Sequence, residues 1–406
     1  MTDHIQGDEG FGLYVHWPFC LSKCPYCDFN SHVVDRVDHG RFRAALRVEL
    51  AHYAAMAGRE GRRLTSVFFG GGTPSLMEPG TVAAILEDAR SLFTPANDLE
   101  VTLEANPGAV DRAKFEDFRD AGVNRVSLGV QALDDAALAF LGRRHDRAEA
   151  LAALEAAQSL FPRTSIDLIY ARPGHDPEAW RQELRQALDI LAGHGHLSLY
   201  QLTVEQGTKF YLDWHRGDWR LPEEDDAVSL WHVTQEETAR AGLPSYEVSN
   251  HARPGEECRH NLVYWRGGDY IGVGPGAHGR LTVGGTPRAT RQHRAPERWL
   301  SQVEAHGHAT TRDDPLGQAE RAEELLLMGL RLTEGVDKMR FHRLSGRPLD
   351  GFVDARALAD LTEMGLLEDT PAALRATADG MLVLNGLIAA LVPVDGDAED
   401  GSPPGR

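Results

Sequence analysis

Short apolar runs alternate with amphipathic stretches through the first half of the chain. Leu13–His16, Ser66–Phe69, Leu99–Glu104, Arg125–Val130, Ser165–Tyr170 and Leu197–Val204 are rich in Val, Leu, Ile or Phe, as strands buried in a parallel sheet are. Between them, Arg41–Ala57, Thr81–Leu92, Arg112–Ala121, Asp146–Leu160 and Glu178–Ala192 carry Ala, Leu, Arg and Glu in the manner of amphipathic helices. Six strand-then-helix units running in one direction predict an α/β fold, a partial parallel (β/α)6 barrel.

Polar residues and glycines gather where the strands end. Trp17-Pro18-Phe19-Cys20 follows the first strand, Gly70-Gly71-Gly72-Thr73-Pro74 the second and Ala105-Asn106-Pro107 the third, and Gln131 closes the fourth. In parallel barrels this is the end that carries chemistry. Beyond the barrel, Glu223–Asp226 leads into a long helix, Pro244–His278 is rich in Gly, His and aromatics, and Gly284–Pro287 is a turn. Ala319–Leu332, Val336–Leu344 and Ala355–Met364 predict three short helices, and Thr370–Leu384 a small two-stranded wing. The expected division is a barrel over 1–225, an extension over 226–300, a small, mostly helical, winged-helix-like domain over 301–394, and an acidic tail over 395–406. That tail is too polar to bury enough surface to order itself.

The charge changes the picture by exclusion. The 406 residues carry 61 acidic and 42 basic side chains, a net charge of −19, which argues against nucleic acid as a partner because phosphate binding needs a positive field. Lys occurs only at positions 23, 114, 209 and 338. The Arg richness this leaves reads first as a bias of base composition, and only at a few sites as a grip on carboxylates. The start of the chain lacks a basic segment followed by an apolar one, and the longest apolar stretch, Met381–Val394, is interrupted by Asn385, Gly386 and Pro393. The expectation is a cytoplasmic protein without a transmembrane segment, peripheral membrane contact remaining open. Its four cysteines should be reduced and available to metal.

Three of those cysteines, Cys20, Cys24 and Cys27, form a C-x3-C-x2-C pattern on one loop. Three thiolates can hold three irons of a cubane cluster and leave the fourth open to a ligand. The alternative is zinc, with His16 or His32 as fourth ligand, although the x3 spacing is unusual for it. The distant Cys258 reads as an ordinary residue of its own loop. Among the other candidates, the Gly70–Pro74 run brings backbone close to a ligand and exposes N–H groups to an anion. Glu104 aims a carboxylate at the barrel mouth. Gln131 can hydrogen-bond a ribose or a carboxylate, Arg143 suits a bidentate carboxylate pairing, and Asp167 is an acid inside an apolar strand that needs a partner or a function.

The cysteine pattern, with an aromatic before its last member, resembles the radical S-adenosylmethionine (SAM) superfamily. Tyr14-Val15-His16-Trp17-Pro18-Phe19-Cys20 and the Gly70–Ser75 run resemble its oxygen-independent coproporphyrinogen oxidase branch, and the resemblance covers about residues 12 to 390. It implies a [4Fe-4S] cluster whose unique iron is chelated by the amine and carboxylate of SAM. An electron from the cluster would then cleave the sulfonium to a 5′-deoxyadenosyl radical. It implies SAM contacts at Tyr14, Tyr26, Gly71, Gly72, Thr73, Glu104, Gln131, Arg143 and Asp167, the glycine loop taking the amino group. For Tyr14 and Tyr26 core packing is the plainer alternative.

Two departures separate this chain from the oxidases of that branch. Oxidases carry a further cysteine two residues after the triad, where this chain has Phe29, and they have an N-terminal extension, where only 19 residues precede Cys20 here. Both make the chain resemble the branch's heme chaperones. His260-Asn261-Leu262-Val263-Tyr264-Trp265 matches the H-N-x-x-Y-W string associated with heme in them. Imidazole and phenol are iron ligands, Trp265 offers a flat face, and Arg259 or Arg266 could meet a propionate; the alternative is a packed histidine. The resemblance therefore implies a protein that binds heme and delivers it to apo-hemoproteins, with an electron donor for its cluster. The competing expectations are an oxygen-independent coproporphyrinogen III oxidase or related radical SAM methyltransferase, and a zinc-bound barrel. Whether the protein is an enzyme is left open by the residues.

Overall fold

The computed structural model describes residues 7, 9–58, 62–191 and 194–392; the 395–406 tail lies outside the described residues. Six parallel strands, β1 (Phe11–Trp17), β4 (Arg63–Gly71), β5 (Thr94–Ala105), β6 (Arg125–Gln131), β7 (Arg163–Tyr170) and β8 (His196–Gln201), lie side by side in chain order. Between β1 and β4 come the two-residue strands β2 (Phe19–Cys20) and β3 (His32–Val33), which pair with each other. Helices α1 (His39–Ala57), α2 (Pro79–Leu92), α3 (Arg112–Ala121), α4 (Asp135–Phe140), α5 (Arg147–Leu160) and α6 (Pro177–Leu191) make the crossovers, and α7 (Lys209–Arg216), α8 (Glu224–Arg240) and α10 (Pro296–His306) lie beyond β8 in the chain.

Local chemistry explains where these helices start and stop. Asp38, Asp111 and Asp146 accept backbone N–H bonds at the starts of α1, α3 and α5, and Asp146 with Glu149 forms a reciprocal capping box. Pro79 opens α2, where its missing N–H is harmless. The short α4 is an element that the periodicity did not predict.

The strands present two different faces. Leu13, Val15, Val67, Phe69, Val101, Leu103, Val126 and Leu128 are buried in the main apolar core. The alternate positions carry Tyr14, His16, Ser66, Thr102, Glu104, Ser127, Ser165 and Asp167 and so share the other face, the barrel interior. Apolar strands buried on both sides were the expectation; here one side is a polar interior.

The extension continues the same sheet at both edges. β9 (Asn250–Ala252) pairs antiparallel with β8. β10 (Asp269–Val273) joins β1 in parallel, and β11 (His278–Val283), β12 (Thr286–Gln292) and β13 (Thr310–Pro315) follow antiparallel, making eleven strands in the order β13-β12-β11-β10-β1-β4-β5-β6-β7-β8-β9. The turn between β11 and β12 needs two left-handed residues, and Gly284 and Gly285 supply them at φ 57° and 83°. Buried Glu49 of α1 fastens the extension by accepting from the Gly274 and Ala309 N–H groups and the Trp299 indole, at 2.8, 3.0 and 2.9 Å.

The chain divides into two compact units, residues 1–316 and 317–406. The C-terminal boundary thus lies later than residue 301, because Thr310–Pro315 is a strand of the large sheet. Within the second unit, α11 (Gln318–Gly329), α12 (Lys338–Ser345) and α13 (Ala355–Glu363) accompany a three-stranded sheet of Val336–Asp337, Ala373–Ala376 and Leu367–Asp369. Its own core includes Leu326, Leu330, Phe341, Leu374 and Leu391.

Candidate metal and cofactor centre

The cysteine loop leaves β1 at Trp17 and is closed by the β2–β3 pair, in which Cys20 lies opposite Val33. The three thiols are partly exposed. Thr73 Oγ1 donates to Cys20 Sγ at 3.3 Å, Arg143 Nη1 donates to Cys24 Sγ at 3.5 Å, and Cys27 Sγ is 3.9 Å from Ser31 Oγ. Burial raises the Cys20 and Cys27 thiols, so a bound cation is what would drive their protons off.

Among the described residues no three His, Cys, Asp or Glu side chains converge on one metal ion. His16 is not placed to complete a zinc site. Its Nε2 lies 3.0 Å from the Asn30 carbonyl and its Nδ1 2.9 Å from the Tyr14 hydroxyl. Since a carbonyl only accepts, Nε2 carries the proton and Nδ1 accepts from Tyr14. Cys258 is fully buried on the Glu100 carboxylate.

The glycine loop is arranged differently from an anion cradle. The Gly71 N–H donates to Glu104 Oε2 at 3.1 Å, that of Gly72 to the Trp17 carbonyl at 2.7 Å, and that of Thr73 to the Phe19 carbonyl at 2.9 Å. All three donors are engaged inside the protein, which leaves carbonyl oxygens and the Glu104 carboxylate to meet a ligand. That suits an ammonium, not an anion. The glycines are required sterically: a Cβ on Gly71, at φ 114°, would lie 2.5 Å from the His16 ring, and one on Gly72 2.9 Å from the Phe19 carbonyl oxygen.

Two carboxylates share the interior. Burial, reinforced by Asp167, pushes Glu104 up to about 8. Burial also raises Asp167, against hydrogen bonds from Ser198, Ser127 and Ser165; the Ser127 hydroxyl reaches both of its oxygens, at 2.9 and 3.1 Å. Gln131 ends β6 at φ 73°, a left-handed conformation that is strained for a non-glycine residue and typical of ligand sites. Arg143 donates to the Gly129 carbonyl at 2.9 Å as well as to Cys24, while its buried Nε has no partner among the described residues. Tyr26 packs on Phe210 and bonds with Arg143.

The structure therefore brings together Tyr14, Tyr26, the glycine loop, Glu104, Gln131, Arg143 and Asp167 beside the three thiols. The donor set fits a cluster with one open iron and a ligand that carries an ammonium and a carboxylate. Sequence reasoning missed the serine hydroxyls around Asp167 and the His16–Asn30 link. Period-two placement of Ser127, and of Ser165 with Asp167, was the available signal.

The aromatic string is not brought to this site's surface. It forms α9 (Arg259–Trp265), which packs against the barrel interior. His260 is 1% exposed. Its Nδ1 is 2.8 Å from Ser66 Oγ and its Nε2 2.7 Å from the Tyr264 hydroxyl. Its ring stacks on Phe68 and Tyr14, and a Cβ on Gly12 would meet it at 3.0 Å. Burial pulls His260 down to about 3. Of the two expectations for it, a heme-binding residue or a packed histidine, His260 has the surroundings of the second: a neutral core histidine with both nitrogens hydrogen-bonded. Arg259 pairs with Asp98 at 2.7 Å and is not placed for a propionate. Asn261, Tyr264 and Trp265 are half-buried on the same helix.

The profile of the radical SAM superfamily matches residues 14–187, and that of the HemN C-terminal domain residues 316–383. The chain is 41% identical over 389 residues to the mouse (Mus musculus) protein named radical S-adenosyl methionine domain-containing protein 1, mitochondrial, covering 94% of this chain and 87% of that one. It is 36% identical over 384 residues to the heme chaperone HemW of Escherichia coli, covering 93% and 96%. The solved structure of coproporphyrinogen III oxidase (HemN) from E. coli superposes with a TM-score of 0.77 at 22% identity, over 94% of this chain and 89% of that one, a shared fold.

Proposed function

The chain belongs to the radical SAM superfamily and, within it, to the family of the HemW heme chaperones, and from that premise we propose that it binds heme and hands it to apo-hemoproteins. The observation that carries this reading is the match along nearly the whole of a protein named as a heme chaperone, in a chain whose position 29 is an exposed Phe. Cys20, Cys24 and Cys27 hold a [4Fe-4S] cluster. Tyr14, Tyr26, Gly71, Gly72, Thr73, Glu104, Gln131, Arg143 and Asp167 hold SAM. When bound, the cluster supplies an electron for reductive cleavage of the SAM sulfonium, given an external electron donor.

The protein's own groups do the positioning. Glu104, fixed by the Gly71 N–H, accepts from the amino group of the ligand. Arg143 braces Cys24 and keeps its buried Nε for a carboxylate. Tyr14 donates its proton to His16, so its oxygen meets a ligand only as an acceptor. We place the protein in the cytosol, where thiols stay reduced; no helix among the described residues is long and apolar enough to cross a membrane.

The test is an anaerobic assay of reconstituted protein, with heme titration alongside SAM, dithionite and coproporphyrinogen. The expected result is stoichiometric heme uptake without sustained porphyrinogen decarboxylation; protein that takes up no heme overturns the reading. The assembled SAM site favours a second reading, a radical SAM oxidase or methyltransferase. Sustained protoporphyrinogen formation would establish the former, and transfer of the SAM methyl group to an acceptor without porphyrin change the latter.

A further inference from the structure

On a chain of net charge −19, the surface beside the cysteine loop carries exposed apolar side chains, flanked by the exposed Asp28 and Asp35, next to a cluster of histidine and arginine. Phe29, Val33 and Val34 are 60%, 55% and 43% exposed there. Large apolar side chains grouped in water mark a binding surface. The Asn30 amide fastens this loop to the extension by donating to the carbonyls of Pro275 at 2.8 Å and Arg294 at 3.0 Å. The loop therefore lies against the start of β11. There His278 is exposed and stands opposite Arg291 across the strand pair.

Among the described residues no carboxylate pairs with Arg291 or Arg294, in contrast to Arg259, which Asp98 neutralises. No hydrogen bond to a described residue occupies either nitrogen of His278. Partial burial and the guanidinium groups of Arg291, Arg280 and Arg294 hold the His278 imidazole below its ordinary value. The ring is thus neutral at pH 7, the form that ligates iron.

Heme is an apolar disc with an iron at its centre and two carboxylates on one edge. This face offers each complement: an unoccupied imidazole, two unpaired arginines and an exposed apolar rim. We propose that heme docks here, with the His278 imidazole as an axial ligand, Arg291 and Arg294 paired with the propionates, and Phe29 and Val33 against the porphyrin. The proposal rests on the reading that the protein carries heme. It puts the cargo beside the cluster loop instead of at the buried string of α9. It also gives position 29 a use: the side chain that replaces a cysteine becomes part of the porphyrin seat. Pairing with a propionate is charge-assisted and suits the arginine fork.

The test uses the full-length protein with its cluster reconstituted, titrated anaerobically with hemin. His278→Ala, the double variant Arg291→Glu/Arg294→Glu, and His260→Ala are compared with the unaltered chain. His278→Ala should shift the Soret band and weaken heme binding at least tenfold, and free imidazole should restore the band. The double variant should weaken binding by a similar factor. Iron and sulfide contents, unchanged in both, exclude misfolding. An unaltered protein that binds no heme would defeat the chaperone reading itself. Heme bound normally by His278→Ala and by the double variant, or lost only in a folded His260→Ala, would overturn this site alone.

Discussion

Glu104 is where burial turns into a measurable dependence on pH. Its carboxyl sits at about 8 because it is buried and faces Asp167. Below pH 8 the ligand-free carboxyl is protonated, and the ligand's amino group can donate to the carboxylate only after the proton leaves. Each pH unit below 8 therefore costs about 1.4 kcal/mol, or tenfold in affinity. SAM affinity, read by equilibrium dialysis or by the SAM-induced change in the cluster's EPR spectrum, should rise from pH 6 to pH 8 and then level. Glu104→Gln should bind more weakly above pH 8 and show no rise; an unchanged profile would remove Glu104 from the ammonium site. The thiols allow a sharper test. Two thiolates do not hold a cubane, so Cys24→Ala should lose the brown absorption and most of its iron on reconstitution. At this scale the sequence marks the site well where chemistry is conspicuous, as with three thiols on one loop or an acid in the apolar run of β7. It marks poorly what depends on neighbours. Ser165 lies two residues before Asp167 on the same strand, but the hydroxyls of Ser127 and Ser198 reach it from the neighbouring strands, and no spacing along one segment records that.

At the scale of elements, α9 shows how one string supports two different readings. Its residues resemble a heme motif, yet its histidine contacts Ser66, Tyr264, Phe68 and Tyr14 in the barrel interior. His260→Ala removes a buried ring and leaves the Ser66 and Tyr264 hydroxyls without their partner. Cavity and unsatisfied-polar terms together predict a loss of about 2–4 kcal/mol, measurable as a lower Tm or urea midpoint. The Soret band of bound heme should stay in place. A variant of undiminished stability would show that the histidine is not part of the core. The barrel's own elements were legible because each is local: apolar runs gave the strands, and Asp38, Asp111 and Asp146 mark the starts of α1, α3 and α5. The extension was not legible. β12 reads Thr-Pro-Arg-Ala-Thr-Arg-Gln and β13 Thr-Thr-Arg-Asp-Asp-Pro, with no apolar period, and they are strands because β11 and β12 offer edges to pair with. Tertiary pairing, not propensity, makes them.

For the molecule as a whole, the decisive feature is that the two units have separate cores. The larger is built around Leu13, Val67, Leu103 and their helices, the smaller around Leu326, Phe341 and Leu391. A unit of about 80 residues buries a smaller share of its surface than one of about 300 and is correspondingly marginal, and chains with more than one core need not melt in one step. Every cluster and SAM ligand assigned above lies in residues 14–167, inside the larger unit. A ligand that binds only the folded form adds RT ln(1 + [L]/Kd), about 2.7 kcal/mol at a hundredfold excess over Kd. That gain should fall on the larger unit alone. Calorimetry of the full chain should therefore show two transitions, of which the larger moves up when the cluster is reconstituted and SAM is added, while the smaller stays where it was. A single transition that moves as a whole would show instead that residues 317–406 fold only together with the barrel. The C-terminal unit would then report on the state of the cluster.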